Sequence, residues 1–409
     1  MTYRLCVIHS FDPGGNKVGG LETFIRDMIA FLPDDFTFLM IGVDGTGDLP
    51  LGKLVEREFR GRRYQFLPVL HYADAKTHEA AKRLGDSINV QFLRGLLTYL
   101  PAVRRMLKAQ PTSVDLQRVE FASLVRALGI PFTQMLHGEG APKLQMDSLL
   151  KSYRYLHNLN ERVAVMACDK FLCVNPIITE RIRAIYPRQA HKIETLTTWV
   201  DTATFRPAPF PTDNGFRVAF AGRLDLFKRP PLMFKTIAAL RKRLGDGVQF
   251  HYMGTSDVHR FPEFAAIENN TVLHGFKKAA EVAQVLASCH AGILTSEFEG
   301  MPFSVLESLA VGRPVGAVNL PQLAAVIKAG VSGTLISRSI DEDEMAERLA
   351  DAFVDIRTKI RSGAITPEVV AAQIADFTPQ RQLAKCYANH RALQDKKYGV
   401  ARETVSAKA

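Results

Sequence analysis

Residues 291–307 read AGILTSEFEGMPFSVLE, an apolar run that passes through a glycine turn into a helical pattern. The run from Ala291 to Thr295 predicts a buried strand, and Pro302 suits the first turn of a helix, where its missing N–H needs no partner. Such a turn presents free backbone N–H groups and the positive end of the helix dipole, which together bind phosphate. The segment therefore predicts a strand–turn–helix unit with an anion site at its turn.

Two carboxylates flank this predicted helix start. Glu299 precedes the helix and Glu307 lies about a turn and a half into it, so the two side chains can reach different parts of one elongated ligand. A purely structural interpretation fits the same residues, with Glu299 complementing the helix dipole and Glu307 forming an exposed ion pair. A short motif of this kind leaves both interpretations open.

The same order of strand, turn and amphipathic helix repeats along the chain, which is typical of parallel sheets covered by helices on both faces. In the first half the pattern predicts strands at 5–9, 36–43, 64–69, 132–137 and 170–174 and helices at 20–32, 91–109, 147–167 and 176–186. In the second half it predicts strands at 217–221, 248–253, 272–274, 291–295, 314–318 and 334–336, with helices beginning near Pro230, Ala279, Pro302, Leu320 and Asp341. We therefore expect an α/β fold of two doubly wound, Rossmann-like domains.

A proline-rich segment separates the two halves. Residues 205–215, FRPAPFPTDNG, contain three prolines and a closing Asn-Gly, which disfavour both helix and strand. We therefore predict one domain over 1–205 and a second over 206–378, with the C-terminal helical region 379–409 completing the first. Two such domains are expected to face each other across a cleft, because doubly wound sheets bind ligands beyond the C-terminal ends of their strands.

The composition of the 409 residues is that of an ordinary globular protein, with 47% apolar and 23% charged residues. A net charge of +10 favours anionic partners, but the basic excess divides evenly between the halves, which argues against nucleic acid. The five cysteines are scattered through apolar segments without zinc spacing, so we expect buried, reduced thiols and no metal site. No run approaches the roughly 20 apolar residues of a membrane span, so we expect a cytoplasmic protein.

A second loop carries cations in the equivalent position of the same predicted sheet. Residues 222–230, GRLDLFKRP, follow the first strand of the second half, and Arg223 and Lys228 lie five positions apart in them. At the end of a strand such cations could stabilise the negative charge of a departing diphosphate. A solvated basic loop is the alternative, but two independent loops of this kind at one sheet edge favour a site.

With both loops the chain resembles the retaining glycosyltransferases of family 4, the glycosyl transferases group 1, which have the GT-B fold. The resemblance rests on Gly222-Arg223-Leu224 with Lys228, on Glu299 with Glu307, on 310–315, on Gly19-Gly20-Leu21-Glu22, on Leu136-His137-Gly138, and on Val200-Asp201 with Phe205 and Pro207. It runs from about residue 3 to residue 337 and is densest in the second half.

The resemblance implies roles for these residues. Arg223 and Lys228 are expected to bind the donor diphosphate, Glu299 to contact the donor sugar, and Glu307 to bind the ribose hydroxyls. The remaining donor contacts are expected at Gly222, Gly300, Met301, Pro302, Phe303 and Ser304, largely through backbone amides.

In the first half the resemblance implies that His137 touches hydroxyls of the transferred sugar. A lone histidine is more often structural, so that interpretation stays open. Gly19 and Gly20 are expected to let the backbone approach the phosphate or the acceptor, since no Cβ intervenes. An ordinary flexible loop, next to Gly14 and Gly15, is the alternative.

The implied activity is metal-independent, retaining transfer of a hexose from a UDP- or GDP-sugar to a hydroxyl of a glycan or lipid-linked sugar, as in bacterial surface polysaccharide assembly. The domain 1–205 would hold the acceptor and 206–378 the nucleotide-sugar, with no cofactor. A catalytically silent nucleotide-sugar-binding subunit that assists a partner enzyme is the alternative. A nicotinamide-dependent dehydrogenase is disfavoured, because Gly14-Gly15 and Gly19-Gly20 do not match the Gly-x-Gly-x-x-Gly spacing.

Three further features have structural interpretations. Where the family has Asn-Gly this chain has Thr198-Trp199, and Trp199 is predicted to pack at the hinge, with packing against a ligand as the alternative. The acidic run Asp341-Glu342-Asp343 is predicted to complement a helix dipole and not to bind metal. The amphipathic, basic segment 92–108 is predicted to pack on the first sheet with solvated arginines. Together with Arg60, Arg62 and Arg63, its positive charge is also compatible with weak contact with the inner face of a membrane.

Overall fold

The computed structural model describes residues 2–15, 19–73, 84–138 and 154–399, which form two compact units. Unit 1 contains the described residues of 1–138, 147–196 and 383–409, and unit 2 contains those of 197–382. The division lies between Leu196 and Thr197, shortly before the boundary predicted at 205 and 206. Each unit is a sheet with helices, and the two-domain α/β fold predicted from the sequence is confirmed.

Unit 1 is built on an eight-stranded sheet in the order β3-β4-β2-β1-β5-β6-β7-β8. Only the β3–β4 pair is antiparallel among the described strands. The strands are β1 (Tyr3–Ile8), β2 (Phe36–Asp44), β3 (Val55–Phe59), β4 (Arg62–His71), β5 (Ser113–Leu116), β6 (Phe132–Leu136), β7 (Lys170–Cys173) and β8 (Ile193–Thr195). The helices are α1 (Gly20–Ala30), α2 (Ile88–Thr98), α3 (Leu100–Lys108), α4 (Ala122–Leu128), α5 (Arg154–Ala167), α6 (Pro176–Ile185) and α12 (Pro379–Tyr398), which joins unit 1 from Leu383.

Unit 2 is built on a six-stranded, fully parallel sheet in the order β11-β10-β9-β12-β13-β14. Its strands are β9 (Phe216–Ala221), β10 (Val248–Met253), β11 (Thr271–Gly275), β12 (Ala291–Leu294), β13 (Val315–Val318) and β14 (Gly333–Ile336). Its helices are α7 (Pro230–Leu244), α8 (Ala279–Ala287), α9 (Phe303–Ala310), α10 (Glu342–Arg361) and α11 (Pro367–Ala372).

The order of strands reverses direction once in each sheet, between β1 and β5 in unit 1 and between β9 and β12 in unit 2. Loops on the two sides of such a reversal turn away from each other and leave a crevice at the C-terminal ends of the strands. Gly19 and Gly20 follow β1, and the two charged loops of unit 2 follow β9 and β12, all strands at these reversals, whereas His137 follows β6, one strand further along the sheet.

The sequence missed three strands of unit 1, namely β3, β5 and β8. The strand β5 has the sequence SVDL, and its polar residues Ser113 and Asp115 are 0% and 1% exposed. Buried polar residues interrupt the apolar run from which a strand is recognised, because the pattern does not show the partners that compensate them. The edge strand β3 alternates partly and fully exposed residues, so it too lacks an apolar run.

Two helix predictions were wrong. The single helix predicted at 91–109 is a pair, α2 and α3, that breaks at Tyr99 because Pro101 starts a new helix and cannot continue an old one. The helix predicted to begin near Leu320 is a short 3₁₀ turn, Pro321–Ala325. Of the helix predicted at 147–167, the part 147–153 lies outside the described residues, as do residues 400–409 of the C-terminal region.

The C-terminal helix α12 packs on the sheet of unit 1 and is fixed there by polar contacts. Tyr387 donates a hydrogen bond of 2.5 Å to the carbonyl oxygen of Met28. The guanidinium of Arg391 donates to both carboxylate oxygens of Asp35, at 2.7 and 2.8 Å. This helix therefore contributes to the core of a unit whose other elements lie far away in the sequence.

The structural interpretations of three segments are confirmed. Trp199 is fully buried, and Asp341 caps α10 by accepting hydrogen bonds from the amides of Asp343 and Glu344. On α2 and α3 the side chains of Phe92, Leu96, Val103 and Leu107 are buried and those of Arg94, Arg104 and Arg105 are exposed, while Leu97 is exposed as well.

The other general expectations have these outcomes. The segment 205–215 forms neither helix nor strand, and all five cysteines are buried and unpaired. Among the helices that the structure describes, none is long and apolar enough to cross a bilayer.

Candidate functional site

The loops that follow β9 and β12 in unit 2 form one continuous surface. Because the two strands pair directly, their C-terminal ends are neighbours. The amide of Glu297 donates a hydrogen bond of 2.8 Å to the carbonyl oxygen of Phe227, and the hydroxyl of Thr295 donates one of 2.6 Å to the carbonyl oxygen of Lys228. The rings of Phe227 and Phe298 pack with centroids 4.6 Å apart. The two sequence motifs are thus joined through backbone and side chains alike.

Lys228 is the centre of this surface. Its Nζ lies 3.2 Å from Oε1 of Glu299, and the two side chains are 15% and 14% exposed. The hydroxyl of Ser296 donates to the same carboxylate oxygen at 2.9 Å, and the ammonium lies 5.5 Å from the ring centroid of Phe220. An ammonium has three N–H donors, so Lys228 can bind Glu299 and an anionic ligand at the same time.

Gly222 lies beside the Lys228 ammonium and needs to be glycine. Its φ of +140° is in the region that side chains disfavour, and a Cβ there would lie 3.5 Å from the ring of Phe220 and 3.9 Å from Nζ of Lys228. The missing side chain keeps the approach to the ammonium open.

Arg223 is placed differently from Lys228. Its side chain is 72% exposed, and its guanidinium pairs with Asp225 at 3.1 Å. Among the described contacts it is therefore joined to its own loop and not to the Glu299 turn. The structure brings Lys228 and Glu299 together directly and leaves Arg223 at the rim.

The helix α9 begins beside Glu299. Met301 and Pro302 are buried, and Gly300, Phe303, Ser304 and Glu307 are partly exposed. Pro302 precedes the helix, so the amides of Phe303 and Ser304 lie in the first turn, where no intrahelical acceptor exists. Gln322 donates a hydrogen bond of 2.6 Å to the carbonyl oxygen of Glu299, and Thr198 donates one of 3.2 Å to that of Met301. The turn is thus held by side chains from two other segments.

Sequence reasoning missed several residues that hold these loops. Arg229 has a φ of +50°, and its guanidinium pairs with Glu342 at 2.8 Å and with Glu297 at 3.7 Å. The guanidinium of Arg338 donates to the carbonyl oxygen of Glu297. No short motif marks these residues, since their partners lie far away in the sequence. The left-handed backbone of Arg229 is also invisible in the sequence.

In unit 1 the candidates Gly19, Gly20 and His137 lie near one another. Gly19 and Gly20 start α1, and Phe24 of the same helix contacts the His137 ring edge-on, with centroids 5.1 Å apart. Gly19 is extended, a conformation open to any residue, but a Cβ there would lie 2.5 Å from a carboxylate oxygen of Glu22. A larger residue at position 19 would therefore require the Glu22 side chain to shift.

His137 follows β6 and is partly exposed. Its Nε2 forms a hydrogen bond with Oε1 of Gln117, a residue that follows β5. Desolvation lowers the pKa of His137 to about 4, with a smaller lowering by Arg118 and opposing effects of Asp115 and Glu22. The imidazole is therefore neutral near pH 7 and acts as a hydrogen-bonding group and not as a cation.

One group of possible metal ligands occurs among the described residues. Asp115, Cys386 and His390 are buried in unit 1, with potential ligand atoms within 4.8 Å of one another. Both oxygens of Asp115 and both ring nitrogens of His390 already form hydrogen bonds. Burial raises the pKa of Cys386 well above its usual value, so the thiol stays protonated. The geometry is that of a satisfied polar network.

Comparison with known proteins bears on both units. Residues 215–355, which include β9 to β14, match the model of the family described as glycosyl transferases group 1. The chain is 23% identical over 279 residues to the D-inositol 3-phosphate glycosyltransferase of Paenarthrobacter aurescens (strain TC1), covering 64% of this chain and 67% of that protein. The first three such relatives are matched over 52% to 67% of their own length.

A second relative and a solved structure extend the comparison. The chain is 30% identical over 162 residues to the putative colanic acid biosynthesis glycosyltransferase WcaL of Salmonella typhimurium (strain LT2), covering 36% of this chain and 39% of that protein. Sucrose-phosphate synthase from Thermosynechococcus elongatus is similar with a TM-score of 0.69, over 95% of this chain and 99% of that chain, at 15% identity. At that identity the likeness shows the fold, which is GT-B as predicted.

Proposed function

We propose that this chain, whose residues 215–355 match the glycosyl transferases group 1 family, transfers a sugar from a nucleoside-diphosphate donor to a hydroxyl of an acceptor. The observation that carries the proposal is the contact of 3.2 Å between Lys228 and Glu299, at the first turn of α9. It joins a cation, a carboxylate and the first-turn amides of a helix at the C-terminal ends of two neighbouring strands. A nucleotide-sugar has complementary groups, a diphosphate next to a polyhydroxylated ring.

The diphosphate is proposed to bind between Lys228 and the start of α9. The remaining N–H donors of the ammonium and the amides of Phe303 and Ser304 stabilise the phosphate oxygens, and Gly222 keeps the approach open. Arg223 is exposed, and its ion pair with Asp225 lies on the surface and contributes little to stability. Its guanidinium can therefore exchange that partner for phosphate.

The sugar and the ribose are proposed to bind the two carboxylates. Glu299 accepts hydrogen bonds from sugar hydroxyls, and Glu307, further along α9, accepts them from the ribose. The bond between the anomeric carbon and the diphosphate oxygen breaks with its electron pair going to the diphosphate. The acceptor oxygen forms the new bond on the same face and gives its proton to an oxygen of the departing diphosphate, so the configuration is retained.

The reaction is proposed to need no metal ion. A divalent cation requires several oxygen ligands, and the carboxylates near the loops each have a basic partner. Glu299 pairs with Lys228 at 3.2 Å, Asp225 with Arg223 at 3.1 Å and Glu297 with Arg229 at 3.7 Å. Lys228, assisted by Arg223, is thus proposed to offset the charge of the diphosphate in place of a metal ion.

Unit 1 is proposed to supply the neutral contacts. His137 forms a hydrogen bond with a hydroxyl of the transferred sugar, and the backbone at Gly19 and Gly20 approaches the phosphate or the acceptor. The neutral imidazole supports this role, because a neutral ring can accept as well as donate a hydrogen bond.

The acceptor is proposed to be a glycan or lipid-linked sugar of a bacterial surface polysaccharide, made at the cytoplasmic side of the membrane. The name of the colanic acid relative supports this class. The exposed arginines of α2 and α3 support weak contact with anionic lipid.

The experiment that tests the proposal is a panel of UDP-, GDP- and ADP-sugars offered to the purified protein in the presence of a chelator. We expect one donor to be bound and slowly hydrolysed without added metal, and to be used faster once a suitable acceptor is present. Binding without any hydrolysis or transfer would favour a silent nucleotide-sugar-binding subunit. Activity that disappears with chelator and returns with Mg²⁺ would contradict the metal-independent mechanism.

A further inference from the structure

A chain of buried hydrogen bonds runs beneath His137 in unit 1. It passes from His137 through Gln117 to Asp115, which also binds Thr133 and His390 of α12. Gln117 is 4% exposed, and Asp115, Thr133 and His390 are at most 1% exposed. Burying this many polar groups is costly unless each finds a partner, so the direction of every bond in the chain is constrained.

Donors and acceptors fix the direction at the His137 end. The carboxylate of Asp115 can only accept, so the amide nitrogen of Gln117 must face it, as it does. The carbonyl oxygen of Gln117 then faces the imidazole and can only accept. Nε2 of His137 must therefore carry the proton.

The other end of the chain agrees with this assignment. Asp115 Oδ2 accepts from Thr133 at 2.8 Å and lies 3.4 Å from Nε2 of His390, which must donate. Nδ1 of His390 then accepts from the hydroxyl of Ser113 at 2.9 Å, and that hydroxyl accepts from the amide of Gln394 at 2.8 Å. For every group from α12 to His137, the neighbouring groups thus decide whether it donates or accepts each hydrogen bond.

We infer that Gln117, oriented by Asp115, is a positioning residue that holds His137 in the Nε2–H tautomer and thereby presents Nδ1 as a hydrogen-bond acceptor. Within the described part of the chain Nδ1 has no protein partner. The ligand group that meets it is therefore a donor, such as a sugar hydroxyl, and not a carboxylate. This assignment to a sugar rests on the proposed function, whereas the tautomer follows from unit 1 alone.

The groups around His137 keep it neutral. Asp115 and Glu22 favour the protonated ring, whereas Arg118 and desolvation oppose it, and the edge-on ring of Phe24 excludes water on one side. The balance lowers the pKa of His137 to about 4. Nδ1 therefore keeps its lone pair at physiological pH.

The test is a ¹⁵N–¹H correlation spectrum of the full-length protein with ¹⁵N-labelled histidine, recorded without ligand from pH 7.5 to pH 4. The His137 resonance is identified by its loss in His137→Gln. We expect the shifts of a neutral Nε2–H ring down to about pH 5. An Nδ1–H tautomer, or an imidazolium at pH 7, would overturn the inference.

Two variants of Gln117 separate positioning from bulk packing. Gln117→Leu removes the acceptor, and since one hydrogen bond is lost, the population of the other tautomer should rise about two- to tenfold. Gln117→Glu adds a carboxylate, which should raise the pH at which His137 protonates. Asp115→Asn is the second route if a Gln117 variant fails to fold, because its amide can face Gln117 either way and should also mix the tautomers.

Gln134→Leu is the matched control. Gln134 is another buried glutamine, on β6, but its amide donates only to the carbonyl oxygens of Leu116 and Met135. It should lower stability and leave the His137 tautomer unchanged. An unchanged spectrum in Gln117→Leu, or an equal change in Gln134→Leu, refutes the positioning role. A donor panel without any ligand refutes the proposed function but leaves this spectrum as it is.

Discussion

The loops after β9 and β12 in unit 2 and the residues after β5 and β6 in unit 1 both follow neighbouring parallel strands, yet their chemistry differs. In unit 2 the central contact is between charges, Lys228 and Glu299, both about one-seventh exposed. In unit 1 it is between neutral groups, His137 and Gln117, backed by a buried carboxylate. Charge suits a diphosphate, whereas fixed hydrogen-bond directions suit a sugar hydroxyl.

The difference also concerns how each site is held. The loops of unit 2 are held by backbone bonds, ion pairs and aromatic contacts within one sheet edge. The network of unit 1 reaches α12, which is more than 200 residues away in the sequence. Both sites depend on residues that are distant in the sequence, but of the two only the site of unit 1 rests on a network of almost fully buried groups.

The largest expected effect comes from removing the cation of unit 2. Lys228→Ala should lower turnover about 100- to 1,000-fold, since the ammonium of Lys228 stabilises the negative charge that develops on the leaving diphosphate. Lys235→Ala is the control, because it removes the same charge from unit 2 at a pair with Asp343 on the surface. Steady-state rates with the donor from the panel measure both. Equal rates in the two variants would show that the position of the charge does not matter.

An effect of intermediate size is expected on the pH dependence of stability, which tests whether His137 in unit 1 is neutral. Its folded pKa of about 4 lies below the ordinary histidine value of 6.5, so the unfolded chain takes up this proton first as the pH falls. The contribution of His137 to stability should therefore fall from about pH 6.5 to about pH 4 and stay constant below that range. In His137→Gln this fall should be smaller by up to about 3 kcal/mol.

Urea unfolding of wild type and His137→Gln at pH 7 and pH 4.5 measures the difference. The pKa values of His251 and His290 in unit 2 are also lowered to about 4 by burial and contribute the same sign in both proteins. They therefore cancel in the comparison. Identical pH dependence of the two proteins would mean that His137 titrates normally in the folded state.

The smallest effect concerns the support of the charged site. Asp341→Ala removes the cap of α10, next to Glu342, the partner of Arg229, and should cost about 1 kcal/mol of stability. Asp351→Ala is the control on the same helix, since its pair with Arg243 is largely exposed and should be worth less than about 0.5 kcal/mol. Thermal unfolding compares them. A larger loss in the control would show that the surface pair, and not the cap, holds this helix.

Much of unit 2 could be predicted from the sequence. Its strands are short apolar runs, and prolines mark the starts of α7 and α9. Because β9 and β12 both end in turns with charged residues, the pattern of the chain is enough to assign their motifs to one edge of a sheet. Less of unit 1 could be predicted. The strand β5 was missed because its buried residues Ser113 and Asp115 are polar, and Gln117 and His390 belong to no motif.

The sequence by itself determined the two α/β domains, the residues of the two charged loops and the position of His137 at a strand end. These follow from periodicity and turn chemistry, which act over a few neighbouring residues. The tertiary structure alone decided that Lys228 meets Glu299 while Arg223 points to solvent, and that His390 supports Asp115. The reason is that ion pairs and buried hydrogen bonds depend on which distant segments the sheet order brings together.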